Sequence, residues 1–329
     1  MRPQISSADE YAALFSDAAY WRPYVATICA RHALSAAPAI ETGLAGTNPV
    51  FLIDQRYVVK LYSPFFNGGD SFVRERAAYA LLQQRADLPT PQLIAQGQLF
   101  DDDWRWPYII VSAIAGESYG AAEAQLADDD RERIAGWLGA TCRQLHALPL
   151  DGRGPLQPSW DAFAAFMAQR RASCIADQRR WRTLPDHLID QIEAYLPPLD
   201  ELIDRTGAPC LLHADLNADH LLGQRRADGW QPSGVIDFGD ARSGDPHYEL
   251  LALHLGLFRG DKRLLQRYLM SYGGQSEPPD RFVRRAMSYT LLHEFNILAA
   301  IRSRLDTAPP LRDLDQLARL VWAIDEPKM

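Results

Sequence analysis

The sequence predicts an α+β fold in which a strand-rich first third is followed by a mostly helical remainder. Two observations carry this. Short β-like runs cluster between residues 49 and 112, whereas apolar residues recur at three- and four-residue intervals along most of the chain beyond Gly116. A third observation sets the scale: 329 residues, 47% apolar and 23% charged, are too many for one small domain and too well balanced for a disordered chain.

Residues 8 to 34 read as helical, with Tyr11, Leu14 and Phe15 followed by Trp21, Tyr24, Val25 and Ile28. Pro49 to Ile53 and Tyr57 to Tyr62 read as strands joined by a tight turn at Asp54-Gln55-Arg56. Asp70 to Gln84 returns to helix, with Asp70 or Ser71 as the expected N-cap. Leu93 to Gly97 and Tyr108 to Ser112 are strands again. Beyond Gly116, helices are expected at 131–148, 159–175, 184–205, 246–258, 261–272, 280–304 and 311–324, interrupted by one β-rich island from Cys210 to Phe238. In that island the turn formers Asp228-Gly229 and Pro232 let Leu221–Gly223 pair with Gly234–Ile236 as a hairpin.

Composition excludes several functions. A net charge of −8 does not suit nucleic acid and favours a cationic partner. No apolar run approaches the roughly 18 residues of a membrane span, and Met1-Arg2-Pro3-Gln4-Ile5-Ser6 carries no export signal, so a cytoplasmic protein is expected. Four dispersed cysteines (Cys29, Cys142, Cys174, Cys210) fit reduced thiols better than a disulfide or zinc framework. Lysine occurs only at positions 60, 262 and 328 among 34 basic residues, so Lys60, set between Val59 and Leu61, stands out from an arginine-bearing surface.

Polar chemistry is densest at His213-Ala214-Asp215-Leu216-Asn217-Ala218-Asp219-His220, a charged loop held between apolar strand pieces. The hairpin brings His220 and Asp237 of Val235-Ile236-Asp237-Phe238-Gly239-Asp240 to the same end, with Asp215 in the preceding loop. Such convergence of ligand-type side chains suits a divalent metal.

This constellation resembles the aminoglycoside phosphotransferase family of protein-kinase-like enzymes, whose catalytic loop reads His-x-Asp, with Asn five residues after the Asp, before a hairpin and an Asp-Phe-Gly type motif. The resemblance implies a bilobal protein-kinase-like fold: a nucleotide-binding N-lobe over 1–111 with a helical N-terminal extension, a hinge at 112–116 and a helical C-lobe over 117–329. It implies transfer of the γ-phosphoryl group of ATP or GTP with Mg²⁺ or Mn²⁺, and Asp215 as the catalytic residue that aims the acceptor hydroxyl. It further implies His220 and Asp237 as metal ligands, and the small residues of Gly43-Leu44-Ala45-Gly46-Thr47-Asn48 as a nucleotide loop. Lys60 would neutralise the phosphates with Glu75 as its ion-pair partner, and Ser112 and Ile114 would offer backbone groups to the base. Asp240, Glu249 and Glu294 are the carboxylates expected to hold amines of a cationic, hydroxylated acceptor. His213 is expected to brace the loop.

Within the family the likeness is closest to 7″-O-acting hygromycin B phosphotransferases. It rests on Gly46-Thr47-Asn48-Pro49-Val50, Val59-Lys60-Leu61, Trp106-Pro107-Tyr108, Asp237-Phe238-Gly239-Asp240, His254-Leu255 with Phe258-Arg259-Gly260-Asp261, and His293-Glu294-Phe295. One departure is His220, which stands where the family places Asn. Macrolide phosphotransferases carry a similar His. A neutral imidazole is a softer ligand than an amide oxygen, which implies a tolerance for Mn²⁺ and turnover that declines below pH about 6.5. Competing expectations are a kinase of an ordinary metabolite, such as an amino alcohol or sugar, and a nucleotide-binding module without catalysis. A metallohydrolase is discounted, because Asp215 and Asn217 stand where its signature requires histidines. There is no Gly-Lys dipeptide, so a P-loop is excluded.

Overall fold

The computed structural model describes residues 3–44, 46–101, 105–150, 154–274 and 277–324. Ala45 of the expected nucleotide loop lies outside the described residues, as do Met1, Arg2 and Lys328. The chain divides into two units: the first holds residues 1–117 with Leu222–Gln224 and Ser233–Ala241, and the second holds the rest.

In the first unit, α1 (Ala8–Leu14) and α2 (Ala18–Arg31) precede a five-stranded antiparallel sheet. Its strands are β1 (Ile40–Thr42), β2 (Val50–Ile53), β3 (Tyr57–Leu61), β4 (Leu93–Gln98) and β5 (Pro107–Ser112), in the order β1-β2-β3-β5-β4. Asp17 caps α2 by accepting the N–H groups of Ala19 and Tyr20. Asp54 and Gln55, both at positive φ, lead the three-residue turn, closed by Arg56, that joins β2 to β3. Because strand side chains alternate, Phe51, Ile53, Val59 and Leu61 share one face and pack with Tyr11, Trp21, Val25 and Ile28 of the helices. Lys60 therefore faces the other way.

That second face meets α3 (Gly68–Leu82), which packs against β4 and β5. The helix starts two residues earlier than its acidic residues suggest: Asn67, at φ 58°, holds the cap position without a side-chain hydrogen bond, and neither Asp70 nor Ser71 caps it. Gly68 explains the shift, since a Cβ there would collide with the Ser63 backbone.

The second unit begins after β6 (Glu117–Ser118) with α4 (Tyr119–Ala122) and α5 (Asp128–His146). Next come α6 (Trp160–Trp181) and the short α7 (Asp186–Ile189), α8 (Ile192–Tyr195) and α9 (Leu199–Leu202). The single helix expected over 184–205 is thus broken; Pro197-Pro198 forbids a continuous ladder into α9. Strand β7 (Cys210–Leu212) leads into the polar loop, and β8 (Leu221–Arg226) with β9 (Gly229–Val235) forms the hairpin. β10 (Arg242–Gly244) pairs antiparallel with β7.

The chain then forms α10 (Pro246–Leu251), capped by Asp245 and continued as a π-helical segment over Ala252–Leu257. It ends in α11 (Lys262–Tyr272), α12 (Pro279–Leu292), α13 (Arg302–Asp306) and α14 (Leu314–Trp322). The helix expected over 280–304 stops at Leu292, where His293 turns to extended backbone. Gly139 lets α5 press against α11: its missing Cβ would meet the Tyr268 carbonyl and lie 2.9 Å from the Tyr272 nitrogen. All four cysteines are buried free thiols, and no described helix is long and apolar enough to cross a membrane.

Candidate active site

The first unit gathers three of the expected residues. Lys60 Nζ lies 2.8 Å from Glu75 Oε2 and 2.8 Å from Asp237 Oδ1. Strand alternation turns Lys60 toward α3, and one helix position, Glu75, reaches it. Burial alone would lower the lysine pKa, but Asp237 and Glu75 outweigh it and hold the ammonium above its ordinary value. Burial pushes the Glu75 carboxyl up against the pull of Lys60.

Asp237 sits at φ 66°, a conformation that an Asp tolerates when its carboxylate turns back on its own backbone. Here Oδ1 accepts the Gly239 N–H at 3.2 Å. The Asp237 side chain is 34% exposed against 8% for Lys60 and 2% for Glu75, so it is the most accessible member of the trio.

Sequence reasoning missed Tyr62. Its O–H donates to Glu75 Oε2 at 2.6 Å, and its ring lies 5.6 Å from the lysine ammonium. The signal was available: Tyr62 is two residues beyond Lys60 and so falls on the same side of the extended chain.

Around this trio, Gly43 donates its N–H to the Val50 carbonyl at 2.8 Å and packs against Val50, whereas Gly46 and Thr47 are exposed and a Cβ at Gly46 would meet nothing within 4 Å. Asn48 is buried. Ser112 gives its N–H to the Gln92 carbonyl and its hydroxyl accepts the Gln92 N–H, both at 2.9 Å. Ile114 packs against Gly234. Asp240 lies 3.8 Å from Arg74.

In the second unit the loop after β7 is held from several sides. Leu212, Leu216 and Leu221 are fully buried and fix its course. Ala214, at φ 66°, turns the backbone between His213 and Asp215. The Asp215 N–H donates to His213 Nδ1 at 3.3 Å, consistent with the bracing role expected of that histidine. Asn217 Nδ2 donates to Asp215 Oδ2 at 3.2 Å, aiming the carboxylate; this residue too was not singled out in the sequence. His220 Nδ1 donates to the Asp215 carbonyl at 2.6 Å, so the neutral ring carries its lone pair on Nε2. Asp215 and His220 side chains are 22% and 17% exposed.

One acceptor assignment needs correction. Glu249 is 1% exposed; its Oε2 accepts the His213 N–H at 2.6 Å and lies 3.6 Å from His146 Nε2, so it faces the interior, where no acceptor amine can reach it. Glu294, beyond the end of α12, is ion-paired to Arg242, whose guanidinium lies 3.8 Å over the Phe166 ring. Its charge is already met within the protein. Among the described residues no three His, Cys, Asp or Glu side chains form a cation cage.

Comparison with known proteins places this geometry. A family model described as "Phosphotransferase enzyme family" matches residues 42–287. A curated relative, lysine-specific demethylase JMJ21 of Arabidopsis thaliana, is 26% identical over 271 residues, covering 67% of this chain and 29% of that protein; the chain spans under a third of that relative's length. Among solved structures, the GDP complex of wild-type aminoglycoside 2′-phosphotransferase-IIIa is 19% identical with a TM-score of 0.63, over 86% of this chain and 92% of that one. A microcompartment-associated aminopropanol kinase is 17% identical with a TM-score of 0.51, over 91% and 93%. At these identities the likeness shows the fold, a protein-kinase-like one with a sheet-rich first part and a helical second part.

Proposed function

The chain belongs to the phosphotransferase enzyme family, and from that premise we propose that it transfers the γ-phosphoryl group of ATP or GTP to a hydroxyl of a cationic small molecule of the aminoglycoside kind, hygromycin B among them. The observation that carries this is Lys60, a buried ammonium held at 2.8 Å by each of two carboxylates. A buried cation costs several kcal/mol unless it is paired, and pairing it to two acids makes sense where a polyphosphate must be neutralised.

In this reading residues 1–111 form the nucleotide lobe, 112–116 the hinge and 117–329 the acceptor lobe. Residues 43–48 line the phosphates, and Glu75 and Tyr62 keep Lys60 in place. Ile114 faces the base, and Asp240 remains as the acceptor carboxylate. Asp215, aimed by Asn217, accepts the hydroxyl proton as the acceptor oxygen bonds to the γ-phosphorus and the bridging P–O bond to the nucleoside diphosphate breaks.

Mg²⁺, or Mn²⁺, supplies charge neutralisation across the phosphates when bound. Such an ion takes only one or two protein ligands beside phosphate oxygens and water, so a missing all-protein cage is no obstacle. Asp237, the accessible acid of the trio in the first unit, and His220 of the second unit, with its lone pair on Nε2, each carry a donor of the kind such an ion takes.

A second reading, a kinase of a smaller hydroxylated metabolite such as an amino alcohol, is supported by the Glu294–Arg242 pair and the burial of Glu249, which leave fewer carboxylates for a polyamine. Nucleotide consumption measured against hygromycin B, other aminoglycosides, macrolides and amino alcohols, together with product mass, separates the two. A gain of one phosphoryl group on an aminoglycoside supports the first reading, and on an amino alcohol the second. Nucleotide binding without turnover on any acceptor overturns both.

A further inference from the structure

The family match begins at residue 42, so α1 and α2 lie outside it. They are nonetheless built into the core of the first unit. Tyr11 is fully buried, its ring stacked on Phe65 at 5.5 Å and flanked by Phe15 and Phe66 at 5.9 Å and Trp106 at 6.5 Å. From this aromatic clamp the Tyr11 O–H donates to the Thr47 carbonyl at 2.7 Å, across 36 residues of sequence. Burial, offset in part by Ser63 and Lys60, pushes the phenol up to about 12, so it stays a neutral donor at any working pH.

The acceptor of this bond is placed where order matters. Thr47 and Gly46 are exposed, and a Cβ at Gly46 would meet nothing within 4 Å. The Gly43 N–H ties the near end of the loop to Val50, and the Tyr11 hydroxyl ties the far end. A ring packed among four aromatic neighbours has little rotamer freedom left to lose, so its hydroxyl is a fixed post rather than a tether. Holding a glycine-bearing loop in advance removes part of the ordering cost that a ligand would otherwise meet on binding.

We propose that Tyr11 is a positioning residue for the nucleotide: reaching from a helix outside the family match, it fixes the Thr47 carbonyl and with it the backbone of Gly46–Asn48, the described end of the loop that receives the phosphates. The proposal rests on the assignment of that loop to the nucleotide.

The test uses the full chain with fluorescent mant-ATP and mant-GTP in the presence of Mg²⁺. Tyr11→Phe keeps the ring and its stacking but loses the donor. Its nucleotide Kd and KM should rise about three- to tenfold, the effect of one neutral hydrogen bond, while kcat and the acceptor KM stay within about twofold. Amide exchange across residues 43–48 should speed up. Tyr24→Phe, on α2 against Trp21 and Phe100, controls for a loosened helix pair and should leave Kd unchanged. If Tyr11→Phe proves insoluble, Phe65→Leu, which frees one side of the ring, should give the same split in weaker form. Wild-type Kd in Tyr11→Phe, or an equal loss in Tyr24→Phe, overturns the proposal. Failure of the wild type to bind either nucleotide instead overturns the nucleotide reading on which it rests.

Discussion

Glu249 separates two accounts of one carboxylate, and Glu249→Gln decides between them. Its Oε2 accepts the His213 N–H at 2.6 Å and faces His146 at 3.6 Å, with side-chain exposures of 1% and 6% for the acid and the imidazole. Removing one partner of a buried ionic pair costs about 3–5 kcal/mol, and a glutamine that keeps the shape and an acceptor oxygen recovers part of that, so about 2–4 kcal/mol is expected. At roughly 2–4 °C per kcal/mol for a unit of this size, Tm should drop by about 4–16 °C. The drop should depend on pH. Burial would raise the Glu249 carboxyl, but His146 outweighs it and holds it below the usual 4.5; its contribution is present above that pH and fades as pH falls through the lowered value. Burial would likewise lower His146, but Cys210 and Glu249 hold it well above 6.5; its contribution is complete below 6.5 and fades as pH rises through the raised value. The gap between wild type and Glu249→Gln should therefore be widest between pH about 4.5 and 6.5. Scanning calorimetry across pH 4–9, with His146→Gln and the double variant to isolate the coupling, measures it. An unchanged Tm with a raised acceptor KM would refute the reasoning and return Glu249 to the acceptor site.

The remaining predictions address other parts of the molecule. Asp215→Asn should lower kcat by about 10²–10⁴ with nucleotide Kd within twofold, whereas Lys60→Met should raise nucleotide KM at least about tenfold; fluorescence titration beside steady-state kinetics checks the split. His247 bonds Asp245 at 2.9 Å and Glu277 at 2.7 Å, which against the opposing effect of burial raise it to about 9. Its contribution, about 3 kcal/mol, is complete below pH 6.5 and lost as pH rises through 9, so His247→Gln should flatten the fall in Tm over that interval. Gly139→Ala should destabilise by about 2–3 kcal/mol in urea titrations because the clash is with α11 backbone, while Gly136→Ala, which meets the flexible Arg267 side chain at 3.0 Å and the Ser271 hydroxyl at 3.3 Å but no backbone, should be neutral or better.

Much of the fold was legible because its signals are local. The alternation in Tyr57–Leu61, the turn at Asp54–Gln55 and the apolar stripe of α5 each name their element without help from distant residues. The illegible parts depend on partners far along the chain. Ile40–Thr42 is too short to announce a strand and exists because β2 pairs with it. The start of α3 was misplaced because contact between Gly68 and Ser63 overrides the acidic capping signal. At the site, the family resemblance points to Lys60, Glu75 and Asp237, which meet in space. Spacing could not show that Glu249 turns inward to His213, because that depends on which face of α10 packs against β7 and α12. Nor could it show that Arg242 already answers Glu294 across 52 residues.

The scarcity of lysine turns Lys60 into an intrinsic spectroscopic reporter. Isotopic labelling of lysine alone would yield three side-chain signals, from positions 60, 262 and 328, and only one belongs to the first unit. That signal comes from an ammonium caged between Glu75 and Asp237, shielded from exchange and distinct in shift from a solvated lysine. Titrating unlabelled nucleotide into such a sample would read occupancy directly at the charge proposed to meet the phosphates, with no engineered probe.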